Sequence, residues 1–315
     1  MEIRNLGSSG LRVSVVGLGC NNFGGRIDLE ASRKVVDTAI DEGITLFDTA
    51  DMYGGRGGSE TCLGEILGPR RKDIVLATKF GMAMDDVDIK IGGSRRYIMS
   101  AVEDSLKRLK TDYIDLYQLH QPDPRTPIEE TLRALEDLIR DGKVRYIGCS
   151  NLPAWQLVEA YWTATTSGAS PFVSCQDEYS LVVRDIENEL IPAAIEYGMG
   201  LLPFFPLACG LLTGKYHRDT PLPEGGRITI EDRHAKRYLT ERNWEIVEGL
   251  RTFAQAHGHT LLELAFSWLA RREPVSSVIA GATKPEQIRQ NVNAVTWDLS
   301  IDEMAEINRI SARDV

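Results

Sequence analysis

Two periodicities alternate along the chain. Short runs of apolar and β-branched residues at 13–19, 44–48, 74–79, 113–119, 144–149, 172–175, 201–205 and 275–280 read as buried strands. Between them, apolar residues recur every three or four positions, which predicts helices over 29–42, 59–67, 94–110, 127–141, 153–166 and 185–197. Further helices are predicted over 242–257, 260–271, 285–294 and 302–311. The boundary signals fit: Ser59 and Ser94 stand where caps belong, Pro127 opens a first turn, and Gly43, Gly142 and Gly198 close helices. Residues 1–12, with Gly7 and Gly10, read as a hairpin outside the repeat, and 207–240 as a long connection rich in Gly, Pro and charge.

Eight strands separated by helices mean a parallel β/α repeat. Over 315 residues this predicts one domain, 1–315, built as a (β/α)8 TIM barrel with an N-terminal hairpin and extra C-terminal helices. A doubly wound sheet would carry a G-x-G-x-x-G turn after its first strand. Gly17-Leu18-Gly19 begins one, but position 22 is Asn and the fingerprint fails.

Composition narrows the function. Hydrophobic residues make up 43% and charged residues 26%, as in a globular protein with a large core. The formal net charge of −10 and the lack of any basic run disfavour a polyanion such as nucleic acid, so no nucleic-acid partner is expected. No run of about 18 apolar residues could span a membrane, and the polar start at Met1-Glu2-Ile3-Arg4-Asn5 shows no leader, so a cytoplasmic location is expected. The five cysteines, Cys20, Cys62, Cys149, Cys175 and Cys209, are scattered without a CxxC pair, which predicts reduced thiols rather than disulfides or a zinc site. With five histidines and no His-x-His after the first strand, a metal-dependent hydrolase is disfavoured and no metal is expected.

In a barrel, the carboxyl ends of the strands meet at one mouth. Strand two ends at Asp48, strand three at Lys79 and strand four at His120, and Tyr53 follows strand two in a glycine-rich loop. Singly, each has an ordinary structural explanation: a turn cap, a rim charge, a hydrogen-bonded core histidine, a packed phenol. Jointly they surround one pocket with an acid, an ammonium, an imidazole and a phenol. A phenol with a pKa near 10 is a poor proton donor near neutrality. A neighbouring ammonium lowers that pKa, and an acid holds the ammonium charged and oriented. An imidazole can hydrogen-bond a substrate carbonyl. This is a set suited to carbonyl reduction, and since no side chain supplies hydride, it requires a nicotinamide cofactor.

The chain resembles the aldo-keto reductase family. The resemblance runs in order through Phe47-Asp48-Thr49-Ala50 with Tyr53-Gly54, Ala77-Thr78-Lys79, Leu116 to His120, Ile147 to Asn151 and Gln176 to Ser180. It continues through Pro206-Leu207, Gly210 to Lys215 and Gly281 to Gln287, and so covers nearly the whole chain. It implies a catalytic tetrad of Asp48, Tyr53, Lys79 and His120, with Tyr53 as general acid in aldehyde or ketone reduction. It further implies that NADPH is held by Ser150, Asn151 and Gln176 at the carboxamide, and by Leu207, Gly210 and Lys215 at the pyrophosphate. Gly281, Thr283, Lys284, Gln287 and Asn291 match the segment gripping the adenosine 2′-phosphate and adenine. Lys284 is also a physical candidate for that phosphate, because Pro285 opens a helix whose N-terminus favours anions.

The chain departs from the family at three positions. Phe204 stands where an aromatic hydroxyl usually lies beneath the nicotinamide, Phe205 replaces a small polar residue, and Gln287 replaces an arginine. The last leaves NADPH preferred over NADH rather than required. The loop from Tyr216 to Tyr238, with Arg218, Arg227, Arg233, His234, Lys236 and Arg237, is either a lid over the cofactor or a solvated basic loop. Phe23, Tyr53, Phe80 and Phe205 are candidates for the walls of an open substrate site. Because the family resemblance extends to channel β-subunits, an NADPH-binding regulatory or redox-sensing subunit is the alternative function. The intact tetrad favours the enzyme; no feature of the sequence assigns an oligomeric state or a natural substrate.

Overall fold

A computed structural model describes residues 1–223, 225–230 and 232–312. A two-stranded antiparallel hairpin, β1 (Ile3–Asn5) and β2 (Arg12–Ser14), precedes the main sheet. Eight parallel strands follow: β3 (Val16–Gly19), β4 (Leu46–Asp48), β5 (Val75–Phe80), β6 (Ile114–Leu119), β7 (Val144–Ser150), β8 (Ser174–Gln176), β9 (Gly200–Leu201) and β10 (Val278–Gly281). Their order around the sheet is β10-β3-β4-β5-β6-β7-β8-β9. A parallel bridge between Leu201 and Val275, with Ile279 N–H donating to Pro203 O at 3.1 Å, joins the two ends into a (β/α)8 barrel.

Side chains along a strand alternate between the barrel interior and the surrounding helices. The inward set Leu46, Ala77, Leu116, Leu202 and Ile279 packs into one small cluster with Leu6 and Val13 of the hairpin, which fills the barrel's amino end. The outward set, including Phe47, Leu76, Phe80, Tyr117 and Leu119, joins the larger core under the helices. Two residues beyond the inward Leu46 lies Asp48, two beyond Ala77 lies Lys79, and two beyond Leu116 lies Gln118. The period that buries the interior leucines therefore also aims these polar groups inward at the carboxyl end.

The expected elements are present, with corrected boundaries. The apolar run 13–19 is two strands, since residues 13 and 14 belong to the hairpin. The seventh strand is shorter than 201–205 because Pro203 has no N–H to give the ladder, and pairing resumes only as a Glu178–Phe204 bridge. The helix expected over 185–197 is a 3-10 turn (Asp185–Glu187) and a helix (Leu190–Glu196); Pro192 would clash with the carbonyl of residue 188 in one continuous helix. The helix after β4 runs Gly58–Leu67 and has no side-chain cap; Ser59 Oγ instead donates to Cys20 O at 2.8 Å. The 207–240 connection holds a 3-10 segment (Ala208–Thr213) and helices Arg227–Ile230 and Asp232–Tyr238. After β10 come helices Pro285–Asn293 and Ile301–Ser311, the second opened by a Ser300/Glu303 capping box.

Candidate active site

Asp48, fully inward at the end of β4, is 3% exposed and accepts three hydrogen bonds. Lys79 Nζ donates to its Oδ2 at 2.6 Å, while Gln118 Nε2 and Gln176 Nε2 donate to its Oδ1 at 3.1 and 2.9 Å. Lys79 is fully buried, and its ammonium also donates to Thr49 O at 3.0 Å and to Tyr53 Oη at 3.4 Å. All three ammonium protons are thereby used, one of them on the phenol. Burial alone would lower the Lys79 pKa, but Asp48 and Tyr53 outweigh it and raise the value above that of a free lysine.

Tyr53 is placed by an irregular turn. Its N–H donates to Ala50 O at 3.2 Å, and Gly54 and Gly55 follow at φ of 67° and 76°, which an L side chain rarely adopts. A Cβ on Gly54 would lie 2.5 Å from Phe23 O, so the turn also fits only glycine sterically. The phenol stands edge-on to the His120 ring, centroids 5.6 Å apart. Its pKa is raised, by burial first, with Lys79 pulling it down and Asp48 pushing it up. The ammonium thus moderates an upward shift; it does not bring the phenol below its ordinary value, as its charge alone suggested. His120 is pushed down to about 3 by burial and by Lys79, so the ring is neutral, and its Nδ1 has no partner among the described residues.

These groups open into one cavity of about 530 Å³. Asp48, Tyr53 and His120 line it, and Lys79, bonded to Asp48 and Tyr53, lies outside the lining. Ser150, Asn151, Gln176, Phe204, Leu207, Gly210, Lys215, Gly281, Thr283, Lys284 and Gln287 all contribute to the wall. Asn291 does not: it is buried in the helix Pro285–Asn293, away from the lining. Phe205 lines the cavity with Tyr53, whereas Phe23 and Phe80 are fully buried core residues and form no wall.

The polar middle of the cavity is held by its own hydrogen bonds. Asn151 Nδ2 donates to His120 O at 3.0 Å and Ser150 Oγ at 2.9 Å, and Ser150 Oγ donates to Gln176 O at 2.8 Å. The donors of Asn151 and Gln176 are directed into the protein, leaving their amide oxygens as acceptors. Further along, Phe205, Ala208 and Cys209 take φ of 52°, 45° and 56°, a cluster of sparsely populated backbone conformations of the kind found at ligand sites. In the same wall Gly281 leaves a cradle that a Cβ would fill, 3.1 Å from Asn22 Nδ2. Gln287 Oε1 accepts from Thr283 N at 2.7 Å, tying the loop to the first turn of the helix that follows Lys284.

Four cations, Arg26, Lys215, Arg227 and Lys284, line this cavity, and Asp48 is the only acid among its described lining residues. Arg26 Nη2 donates to Gly225 O at 2.8 Å, bridging the β3 loop to the basic segment, and Arg227 stacks over Phe205 at 4.8 Å. On its other side that segment is tied down by Arg237 and Tyr238, both bonded to Glu178. Its described residues are partly helical, and Gly225 and Arg227 among them line the cavity. Asn21, Asn22 and Arg26 were missed from the sequence; the failed glycine fingerprint at 17–22 was the only signal there. No cluster of three His, Cys, Asp or Glu able to hold a metal occurs among the described residues.

The model of the Aldo/keto reductase family matches residues 15–312. Two similar proteins, from Arabidopsis thaliana and from Oryza sativa subsp. japonica, are each named as a probable voltage-gated potassium channel subunit beta. Each is 38% identical to this chain over 302 residues, covering 94% of this chain and 91% of the relative.

Proposed function

Since the chain belongs to the aldo/keto reductase family, a family of oxidoreductases, we propose that it is an NADPH-dependent reductase of small aldehydes or ketones. The observation that carries the proposal is a single cavity lined both by proton-handling groups, Asp48, Tyr53 and His120, and by four cations, Arg26, Lys215, Arg227 and Lys284. A dinucleotide phosphate needs that distribution of charge.

The residues fit the cofactor. The amide oxygens of Asn151 and Gln176 suit the N–H groups of a carboxamide, and Phe204 offers a ring face. Leu207, Gly210 and Lys215 would hold the pyrophosphate, with Arg26 and Arg227 adding charge. Gly281, Thr283, Lys284 and Gln287 would hold the adenosine 2′-phosphate and adenine. When bound, the nicotinamide supplies the hydride. Tyr53 holds the proton at Oη that passes to the substrate oxygen. Lys79, already hydrogen-bonded to that Oη, stabilises the phenolate that remains, and Asp48 keeps Lys79 charged and in place. His120, neutral throughout the physiological range, orients the carbonyl by a hydrogen bond without adding charge. The same reading makes the chain one cytoplasmic domain, 1–315. Among the described residues no helix is long and apolar enough to cross a membrane.

The names of the relatives favour a second reading, an NADPH-binding regulatory or redox-sensing subunit with little turnover. Both functions quench NADPH fluorescence on binding, and steady-state reduction of an aromatic aldehyde separates them. Tyr53→Phe is expected to keep NADPH affinity within about twofold and to lose at least about 100-fold in kcat, the scale of a lost general acid. Unchanged turnover in that variant removes Tyr53 from the mechanism.

A further inference from the structure

On the outward face of β5 and β6, behind the catalytic cluster, lies a second group of ionisable residues that the proposed reaction does not use. Strand alternation sends Thr78 outward beside Lys79, and Tyr117 outward beside Gln118, toward helix Gly58–Leu67 and helix Arg95–Leu109. Glu60, fully buried on the first helix, accepts from Thr78 Oγ1 at 2.5 Å and from Arg108 Nε at 2.7 Å. Asp51 is 1% exposed and accepts only from Tyr97 Oη, at 3.1 Å, among side chains. Arg108 is thus engaged by Glu60, and Asp51 feels its charge without an ion-pair contact of its own among the described residues. Asp51 Oδ1 and Tyr117 Oη are both buried with no hydrogen-bond partner among the described residues.

The groups acting on this site are Glu60 from one helix, Tyr97, Asp104 and Arg108 from the other, and Tyr117 from β6. Burial, reinforced by Glu60, pushes the Asp51 carboxyl up to about 7, against the opposing pull of the Tyr97 hydroxyl, the Arg108 charge and the Met52 N–H. A buried carboxylate without a cation is costly enough that such groups ordinarily take up a proton instead. Asp51 is also mechanically connected to the reaction site. Its N–H donates to Lys79 O at 3.1 Å, Thr49 N–H donates to Ala77 O at 2.9 Å, and Tyr53 lies two residues on. The Asp51 side chain therefore anchors the middle of the turn that joins Asp48 to Tyr53.

We propose that Asp51 is a positioning residue that works as a neutral carboxylic acid: bonded to Tyr97, it pins the turn presenting Tyr53, and loss of its proton, which sets a second buried carboxylate against Glu60, loosens that turn. The kinetic part rests on the reductase reading; the stability and exchange measurements do not.

The test compares wild type with Asp51→Asn and Tyr97→Phe from pH 5 to 8.5. Asparagine copies the shape of the neutral acid and cannot ionise. Because the folded state binds this proton more tightly than the unfolded chain, the Asp51 contribution to stability fades as pH rises from about 4 to about 7. The melting temperature of Asp51→Asn minus that of wild type should therefore increase by several degrees between pH 5 and 7.5, then level off. Hydrogen exchange of the 50–54 amides, corrected for intrinsic pH dependence, should lose about tenfold in protection over that range in wild type and little in Asp51→Asn. The wild-type kcat should fall about fivefold from pH 6.5 to 8.5 with NADPH affinity unchanged, and Asp51→Asn should lack that fall. Tyr97→Phe should weaken 50–54 protection at every pH.

Parallel melting curves would overturn the neutral state of Asp51. A widening gap in melting temperature with matching exchange in wild type and Asp51→Asn would overturn the positioning role. Absence of any turnover in wild type would refute the reductase reading, leaving melting and exchange to decide on Asp51.

Discussion

At the scale of single residues, the site is set by which charges are buried and which are paired. His120 shows this most directly, because Lys79 and burial keep its imidazole neutral down to about pH 3. In the unfolded chain a histidine titrates near 6.5. Between those values the unfolded state binds the proton and the folded state does not, so the His120 contribution is complete above about pH 6.5 and is lost as pH falls toward 3. Urea titrations should show wild type losing on the order of 3 kcal/mol through this histidine between pH 6.5 and 4, and His120→Gln should remove that part of the acid sensitivity. An equal pH slope in the variant would show that the ring is charged in the folded protein. The identities of Asp48, Tyr53, Lys79 and His120 were legible because each follows the end of an apolar run. The direction of the Tyr53 shift and the engagement of Asp51 were not. Both depend on burial and on partners such as Tyr97, 46 residues away in sequence.

At the scale of elements, the alternation of periods two and 3.6 reveals which segments are strands and helices, while contacts between elements fix their ends. In the run 13–19 a single polar residue, Ser14, interrupts the apolar pattern, too little to show from sequence that one strand ends and another begins; Val13 pairs with Arg4 and fills the barrel base, whereas Val16 pairs with Val278. Close helix approach was equally invisible. Gly64, on the helix carrying Glu60, meets the helix carrying Arg108 so closely that a Cβ would stand 2.2 Å from Arg108 O. That neighbour is backbone and cannot swing aside. Gly64→Ala should therefore lower stability by about 1–3 kcal/mol despite its better helix propensity, read as a lower urea midpoint with unchanged slope. Stabilisation by the alanine would mean that the two helices separate at little cost.

At the scale of the whole molecule, the formal charge of −10 opposes the anionic cofactor proposed for a cavity lined by Arg26, Lys215, Arg227 and Lys284. The two effects differ in range. The net charge acts over distances that salt screens within about 8–10 Å, whereas the lining cations act at contact. Lys284 is exposed, as are Arg26 and Lys215, but it alone of the set stands at the N-cap of helix Pro285–Asn293, where no side chain caps the first turn. A phosphate there meets both the ammonium and the free helix N–H groups. The additional 2′-phosphate of NADPH should account for the difference from NADH, so Lys284→Ala should weaken NADPH about tenfold and NADH less than about twofold, as expected for one charge-assisted contact. Raising salt from 50 to 500 mM should shrink the NADPH-to-NADH affinity ratio of wild type toward that of the variant, since this contact is exposed. Fluorescence titration of both nucleotides checks this. An equal loss for NADH would relocate Lys284 to a part of the cofactor that the two nucleotides share.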